Sequence, residues 1–595
     1  VRAGAGSAYP LEAQMSGGLY RSANAQQGGA PGGRPGDGAT FISAEPLNQP
    51  AAESVAPPQE QVAESSAAAN SAVMAIGSLV SRGTGFLRNL MIGAALGNLI
   101  GNVFTTAMFL PQQVYEFLLG GILTSVLIPV LVRRGKLDSD RGQAYAQRLL
   151  TLAVVALAVT VLIAVIAAPV LTSLYASGKD ANYTGLVTKL SYLMLPMLFF
   201  TGISALIAAI LNTRGHFAAP MWAPILNNLV AIATFGTYIL VFGAQARQPV
   251  DVGLNQILLI GGGTLLGVAV QAAGLLPALR KVGFRWKPRF DFRALGLREL
   301  SQLGGWMFCY VAVNQLGLFV VVNLLTRAAG EDNAGLLIYN NVFLLLMMAH
   351  GIIAVSIITA LMPRMSAAAA DARFQDFTSD LSRGTRTVSA VLAPIAVCYA
   401  VLAAPISVVV FRYGAFTADN AVATSTVLLV AAIGLVPFAI SQLFTFAFYA
   451  LPDTRTPALI NIPVVALRVG VQVVLFLLFS ASFAGAGMMI GNTVSYLAAA
   501  IASAWLLRPR VGRIGLGAIL RTLGRVALAA LGAAVAGLLV VAMLPGADTP
   551  TRLEAVVQLV VGGAVIGGSY LGLAVVLRIS EITEVVGMVR RRLGR

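Results

Sequence analysis

Charge is what this chain has least of. Only 11% of its 595 residues are Asp, Glu, Lys or Arg, against 57% hydrophobic, and 150–170 and 531–544 contain no charged residue at all. A soluble enzyme of this length spreads charge along its whole sequence, so that class is excluded. Cysteine is nearly absent too: Cys309 and Cys398 each lie in an apolar run without a partner at metal-ligand spacing, so neither a disulfide nor a zinc site is indicated. No GxxxxGK[ST], HExxH or GxSxG occurs, which argues against ATP hydrolysis, metalloprotease chemistry and an acyl-enzyme. The glycines of GGGTLLG at 261–267 follow no strand and sit inside an apolar run, where they suit close helix packing. No cofactor, no metal and no enzymatic activity are expected.

What is present is a series of apolar runs of about 20 to 25 residues, the length that crosses a bilayer, in a chain of mean hydropathy +0.81. Long runs without alternation select helices over a barrel. The expectation is an all-α polytopic membrane protein of about fourteen spans, at 70–96, 101–132, 147–174, 187–211, 219–243, 255–279, 302–327, 335–362, 385–411, 420–449, 457–480, 485–507, 519–544 and 553–578. Residues 1–68, rich in Gly, Ala, Ser, Pro and Gln, predict a disordered tail.

The net charge of +16 resides mostly in short loops between the runs, as membrane topology requires and nucleic-acid binding does not. One alternate set of loops (133–148, 212–219, 280–301, 363–384, 450–456 and 508–525, with the C-terminal tail) carries most of it. The other set holds only Lys179, Lys189, Arg247, Arg327, Arg412 and Arg552. Both termini are therefore expected in the cytoplasm of a bacterial plasma membrane. Trp286, Phe290 and Phe292 within the basic segment 280–298 are placed as interfacial anchors toward membrane lipids. An internal duplication is legible as well. NVF at 102–104 returns at 341–343, an offset of 239, and NTR at 212–214 is echoed by DTR at 453–455, an offset of 241. This predicts two pseudo-symmetric six-helix lobes, 69–280 and 281–507, followed by two further helices and a basic tail over 508–595.

Three charges fall inside the first two spans, Arg82, Arg88 and Glu116. A charge at the centre of a membrane helix costs roughly 2.5 to 3.5 kcal/mol, so such residues usually face a wet cavity or a partner.

Several segments resemble the MurJ (also MviN) lipid II flippase family of the multidrug/oligosaccharidyl-lipid/polysaccharide (MOP) exporter superfamily. They are SRGTGFLRN at 81–89, AAILNTRGHFAAPMWAPILNN at 208–228, ITALMPRMS at 358–366, VFRYGAFTADNA at 410–421 and FYALPDTRTP at 448–457. The resemblance runs from about 72 to 580. It implies a fourteen-helix protein that carries lipid II, the undecaprenyl-diphosphate-linked peptidoglycan precursor, through a cationic cavity by alternating access, driven by membrane potential or an ion gradient. For GC-rich bacteria it also implies cell-wall synthesis proteins as partners and a cytoplasmic kinase-like domain beyond a basic stretch such as RRRLGR at 590–595.

Arg82 and Arg88 are the expected headgroup contacts, since guanidinium stays charged and grips phosphate oxygens in pairs. They lie six residues apart, about 9 Å along a helix and about 120° apart in azimuth, so both can border one cavity. The plainer reading of Arg82 is a side chain snorkelling to the interface. Departures from the family pattern are equally informative. Asn102 stands where members carry Asp, Tyr115 and Glu116 replace two arginines, Gly120 replaces a glutamate, and the eighth span lacks an arginine. Asn102, Tyr115 and Glu116 remain candidates for cavity lining or counter-ions, and Glu116 either pairs statically with Arg82 or Arg88 or does so in one state only. Some members bind sodium on the eleventh span, at positions held here by Arg468 and Gln472. A fixed guanidinium repels a cation, so no sodium is expected there, and Arg468 either stands in for the ion or binds a helix-end carbonyl. His350 in the eighth span is either a protonatable group or a packing residue. Two other readings of function stand beside flipping: another lipid-oligosaccharide or multidrug transporter of the superfamily, and a scaffold of wall synthesis that does not transport.

Overall fold

Apolar sequence in lipid must satisfy its backbone within each segment, and the chain does so with helices. The structure, a computed structural model, describes residues 59–117, 130–131, 134, 138, 140, 142–295, 297–329, 335–546 and 550–583. Within them run α1 (Gln59–Tyr115), α2 (Gln143–Ile166), α3 (Ala168–Tyr175), α4 (Ala181–Met194), α5 (Met197–Thr213), α6 (Ala218–Phe242), α7 (Leu254–Lys281), α8 (Leu297–Ala328) and α9 (Leu336–Ala349). The series continues with α10 (Val355–Ala370), α11 (Phe374–Val401), α12 (Ala403–Phe411), α13 (Ala418–Ile433), α14 (Leu435–Ala450), α15 (Arg455–Leu478), α16 (Ala484–Val511), α17 (Leu516–Met543) and α18 (Arg552–Val576). It is an all-helical, multi-pass membrane protein. Among the described residues twelve segments are long and apolar enough to cross a bilayer, and α13 with α14, bent by 46°, makes a thirteenth if the pair is one span.

The first of these segments, Leu79–Tyr115, has 37 residues. As one straight helix it would reach about 55 Å, nearly twice the hydrocarbon core. It is broken at Gly97 (φ 67°, ψ −168°), where a Cβ would lie 2.9 Å from the Ala415 carbonyl oxygen, so only glycine fits. Before the break, Ser81 and Met91 lie against Asn228 and Gly236, so chain and α6 advance together. After it, Thr106 meets Thr326 while Gln113 meets Gln315, so the chain runs against α8. Both α6 and α8 leave the face that carries the basic loops, so the chain turns back at Gly97. The expected spans 70–96 and 101–132 are thus two limbs of α1, the end of the second lying outside the described residues.

Other breaks have local causes. Pro169 and Pro405, each lacking an N–H, divide α2 from α3 and α11 from α12. Leu195–Pro196 and Gly434 interrupt the next span in each half of the chain. The breaks therefore recur in the same order in both halves, and NTR and DTR both lie where one helix gives way to the next, between α5 and α6 and between α14 and α15. One boundary needs correction. Helix begins at Gln59, inside the expected disordered tail 1–68, because QEQVAESSAAAN is built of good helix formers and extends the first span. The rest of that tail, Gly120 and 584–595 lie outside the described residues.

Within residues 64–595, α6 packs on α7, α15 on α8 and α16, and the last two helices on each other and on α11 and α12. Tyr570 of α18 donates to the Ala390 carbonyl of α11 at 2.8 Å. Large apolar side chains such as Ile166, Leu240, Leu477, Trp505 and Met543 point outward, which is the expected surface in lipid.

Candidate functional site

The two halves of the chain meet most visibly at the face away from the basic loops. There Asn323 of α8 donates to the Leu174 carbonyl (2.6 Å) and to Ser177 Oγ (2.9 Å), and Arg327 reaches the same hydroxyl through Nε and Nη2. Lys179 Nζ donates to the Ala329 carbonyl, and the Ala415 amide donates to the Ala94 carbonyl at 2.8 Å. Tyr175 packs edge-on against Phe319.

Asn102 belongs to this closure rather than to a wet cavity. It is fully buried; Nδ2 donates to Asn98 Oδ1 and Oδ1 accepts the Leu337 amide at 2.7 Å. Helix α9 has no cap of its own, since Gly335 precedes it at φ 144°. The side chain of Asn102 lies where a Gly335 Cβ would stand, 2.6 Å from its Cγ, and so caps α9 from another part of the chain. In this conformation Asn102, expected as a cavity-lining or counter-ion residue, serves as that cap.

Arg82 is exposed and its guanidinium lies across Gly351, Cζ standing 2.7 Å from where a Cβ would be. Gly351 is in a single π-helical turn, His350–Ala354, between α9 and α10. Such turns widen a helix locally and are frequent at functional sites. Arg82 therefore bridges the halves and is not simply snorkelling to one interface. Arg88, one and a half turns further, is partly buried; its Nη2 reaches only Asn89 Oδ1 at 3.5 Å and its Nε is buried without a partner. Among the described residues neither arginine forms an ion pair.

Glu116 is half-buried next to the half-buried Tyr115 and accepts from Gln112 Nε2 at 3.3 Å. It pairs with neither arginine, which rules out a static pair in this conformation. For Arg88 the reason is axial: counting from Gly97, Glu116 lies about 28 Å along its limb and Arg88 about 14 Å along the other. Arg82, at about 22 Å, is turned instead onto Gly351. His350 is buried, its ring 4.4 Å from that of Phe438 and its Nδ1 unpartnered.

Arg468 and Gln472, four residues apart, share a face of α15. The Gln472 amide donates to the Met488 carbonyl (3.0 Å) and to Asn492 Oδ1 (3.2 Å), and Asn492 donates to the Tyr339 hydroxyl. Arg468 lies over Gly317 of α8 and borders a cavity of about 190 Å³. Outside the membrane, the basic segment after α7 is fastened to α2. Arg148 pairs with Asp291 at 2.7 Å, holding that carboxyl below its ordinary value, and Trp286 and the Arg289 amide reach Thr151. Sequence reasoning missed the glycines under Arg82, Asn102 and Arg468, because a glycine's use as a seat depends on a partner far along the chain.

The family model described as lipid II flippase MurJ matches residues 92–548, beginning beyond Arg82 and Arg88. A lipid II flippase MurJ of Burkholderia cenocepacia is 27% identical over 65% of this chain and 74% of its own length. A probable lipid II flippase MurJ of Synechocystis is 25% identical over 78% and 86%. Among solved structures, one described as lipid II flippase MurJ in an inward closed conformation superposes with a TM-score of 0.66 at 17% identity, covering 88% of this chain and 99% of that one. An inward-facing multidrug resistance MATE family transporter of the MOP superfamily gives 0.58 at 17%, covering 72% and 94%.

Proposed function

The chain belongs to the lipid II flippase MurJ family, and from that premise we propose that it moves lipid II across the bacterial plasma membrane, from the cytoplasmic to the outer leaflet. It is a transporter, not an enzyme. The observation that carries the reading to particular residues is the pair of unpaired arginines on the first limb of α1. One, Arg82, lies at the seam between the halves and the other, Arg88, is partly buried beside it. A diphosphate cannot cross hydrocarbon bare, and guanidinium groups without carboxylate partners are free to take its oxygens.

In this reading the lobes are 69–280 and 281–507, with 508–595 appended to the second, and the basic loops and both termini face the cytoplasm. The contacts through Asn102, Asn323, Arg327 and Lys179 close the outer side, leaving the cytoplasmic side to admit the headgroup. Breaking those contacts opens the way out. Glu116, Tyr115 and Gln112 stand nearer the cytoplasmic end, where Glu116 pairs with Arg82 only if the two limbs of α1 shift against each other within the first lobe.

Sodium does not fit the eleventh-span positions. Arg468 brings a fixed positive charge one turn from Gln472, and that charge outweighs the single unpartnered acceptor there, Gln472 Oε1, whose Nε2 donates to Met488 and Asn492. The driving force is then the membrane potential or another ion.

The test is surface exposure of lipid II in cells depleted of their own flippase and supplied with this chain or with Arg82→Ala/Arg88→Ala at equal expression. Rescue by the parent and failure of the double variant is the expected result. Failure of the parent would favour a non-transporting scaffold, and rescue by both would remove the arginines from the site.

A further inference from the structure

The cavity beside Arg468 is built for something that is not a cation. It lies among α8, α14, α15 and α16, and Tyr310, Asn314, Gln442, Thr445, Ser503 and Tyr496 are among its lining residues. Among the described residues no aspartate or glutamate lines it, and Arg468 is the one charged side chain of the lining, its Nε buried without a hydrogen-bond partner. Thirteen residues separate it from Arg455 at the start of α15, about 20 Å along a helix of about 36 Å, which puts it well inside the bilayer.

An uncompensated charge at that depth is costly, and arginine cannot escape by losing its proton. Compensation must therefore come from outside the protein. Pro457, near the start of α15, also lines the cavity, so it extends from the basic-loop end of the helix inward to the guanidinium. Its volume of about 190 Å³ admits an ion with several waters at about 30 Å³ each. It is smaller than the roughly 300 to 1,000 Å³ of pockets that hold drug-sized molecules, and so excludes a disaccharide-pentapeptide. We propose that Arg468, with the hydroxyls of Tyr310 and Tyr496 and the amide of Gln442, binds a small monovalent anion of the chloride class in the second half of the chain.

The experiment titrates chloride, and separately bromide, into the purified full chain held in gluconate at constant ionic strength, with binding followed by calorimetry. The parent should bind saturably. Arg468→Gln should weaken binding at least about thirtyfold, as loss of one partner of a desolvated charge pair does, while Arg468→Lys, which keeps the charge, should retain most of it. Absence of saturable binding in the parent overturns the proposal, as does undiminished binding in Arg468→Gln, which would place the ion at Arg82 or Arg88. Anomalous scattering from bromide-soaked crystals of the parent needs no variant to fold: a peak beside Arg468 supports the site, and no peak there refutes it.

Discussion

Removing the side chain of Asn102 should open the outer side of the protein. The Leu337 amide is among the first donors of α9 and has no acceptor within its own helix; Asn102 Oδ1 supplies one at 2.7 Å in a fully buried setting. Asn102→Ala leaves that N–H unpaired at a cost of about 1 to 3 kcal/mol, in line with the roughly 0.5 to 2 kcal/mol of a lost helix cap. The cost falls on the closed conformation alone, because separating the halves parts Asn102 from Leu337 and lets water take the amide. The population open to the outside should then rise about 5- to 140-fold, at 1.4 kcal/mol per factor of ten. The assay is the rate at which a membrane-impermeant maleimide, added from outside, labels Ala415→Cys in a chain with Cys309→Ser and Cys398→Ser. Ala415 is buried against Gly97 in the closure, so labelling reports its opening. Asn102→Asp keeps the acceptor oxygen for Leu337 but loses the Nδ2 donor to Asn98, so its labelling should accelerate less than that of Asn102→Ala. Unchanged labelling in Asn102→Ala, or equal acceleration by Ala and Asp, would refute the argument.

Two further outcomes follow from the same geometry. Gly351→Ala places a methyl where the Arg82 guanidinium now lies; the arginine must swing aside, so lipid II exposure should fall toward that of Arg82→Ala while the melting temperature barely moves, and full activity would show that the seat under Arg82 does not matter. Beyond α18, buried Glu581 pairs with Arg386 of α11 at 2.6 Å, the arginine side chain keeping 26% of its surface exposed. Glu581→Gln should destabilise by no more than the ~3 kcal/mol lower bound for breaking a buried pair, with Arg386→Gln/Glu581→Gln recovering part of that loss in thermal melts; a double variant as unstable as the sum of the singles would deny the coupling.

The spans could be placed from sequence because each is its own evidence: twenty apolar residues have few alternatives in lipid. The breaks at Pro169 and Pro405 were not drawn, since 147–174 and 385–411 were expected as single spans and a proline is tolerated inside a membrane helix. The break at Gly97 was placed, since the expected spans 70–96 and 101–132 leave it between them, but its cause, the Ala415 backbone brought against it, depends on a partner far along the chain. The candidate site divides in the same way. That Arg82 and Arg88 sit in a membrane span is a property of one segment, whereas the seat of Arg82 is Gly351, more than 250 positions away. Asn102 shows how composition alone misleads. Beside a family pattern with Asp it reads as a charge lost from a cavity, yet the cap on α9 needs an acceptor oxygen, which Asn and Asp both offer, while the Nδ2 bond to Asn98 is open to Asn alone. The same reasoning separates it from Arg468. Replacing Asp by Asn keeps the acceptor that a helix end needs, so the closure survives the change, but an arginine reverses the sign of the field in its cavity and must change which ion can reside there. A departure from a family pattern thus bears on function when it changes what the surrounding groups can satisfy, and the two substitutions fall on opposite sides of that line.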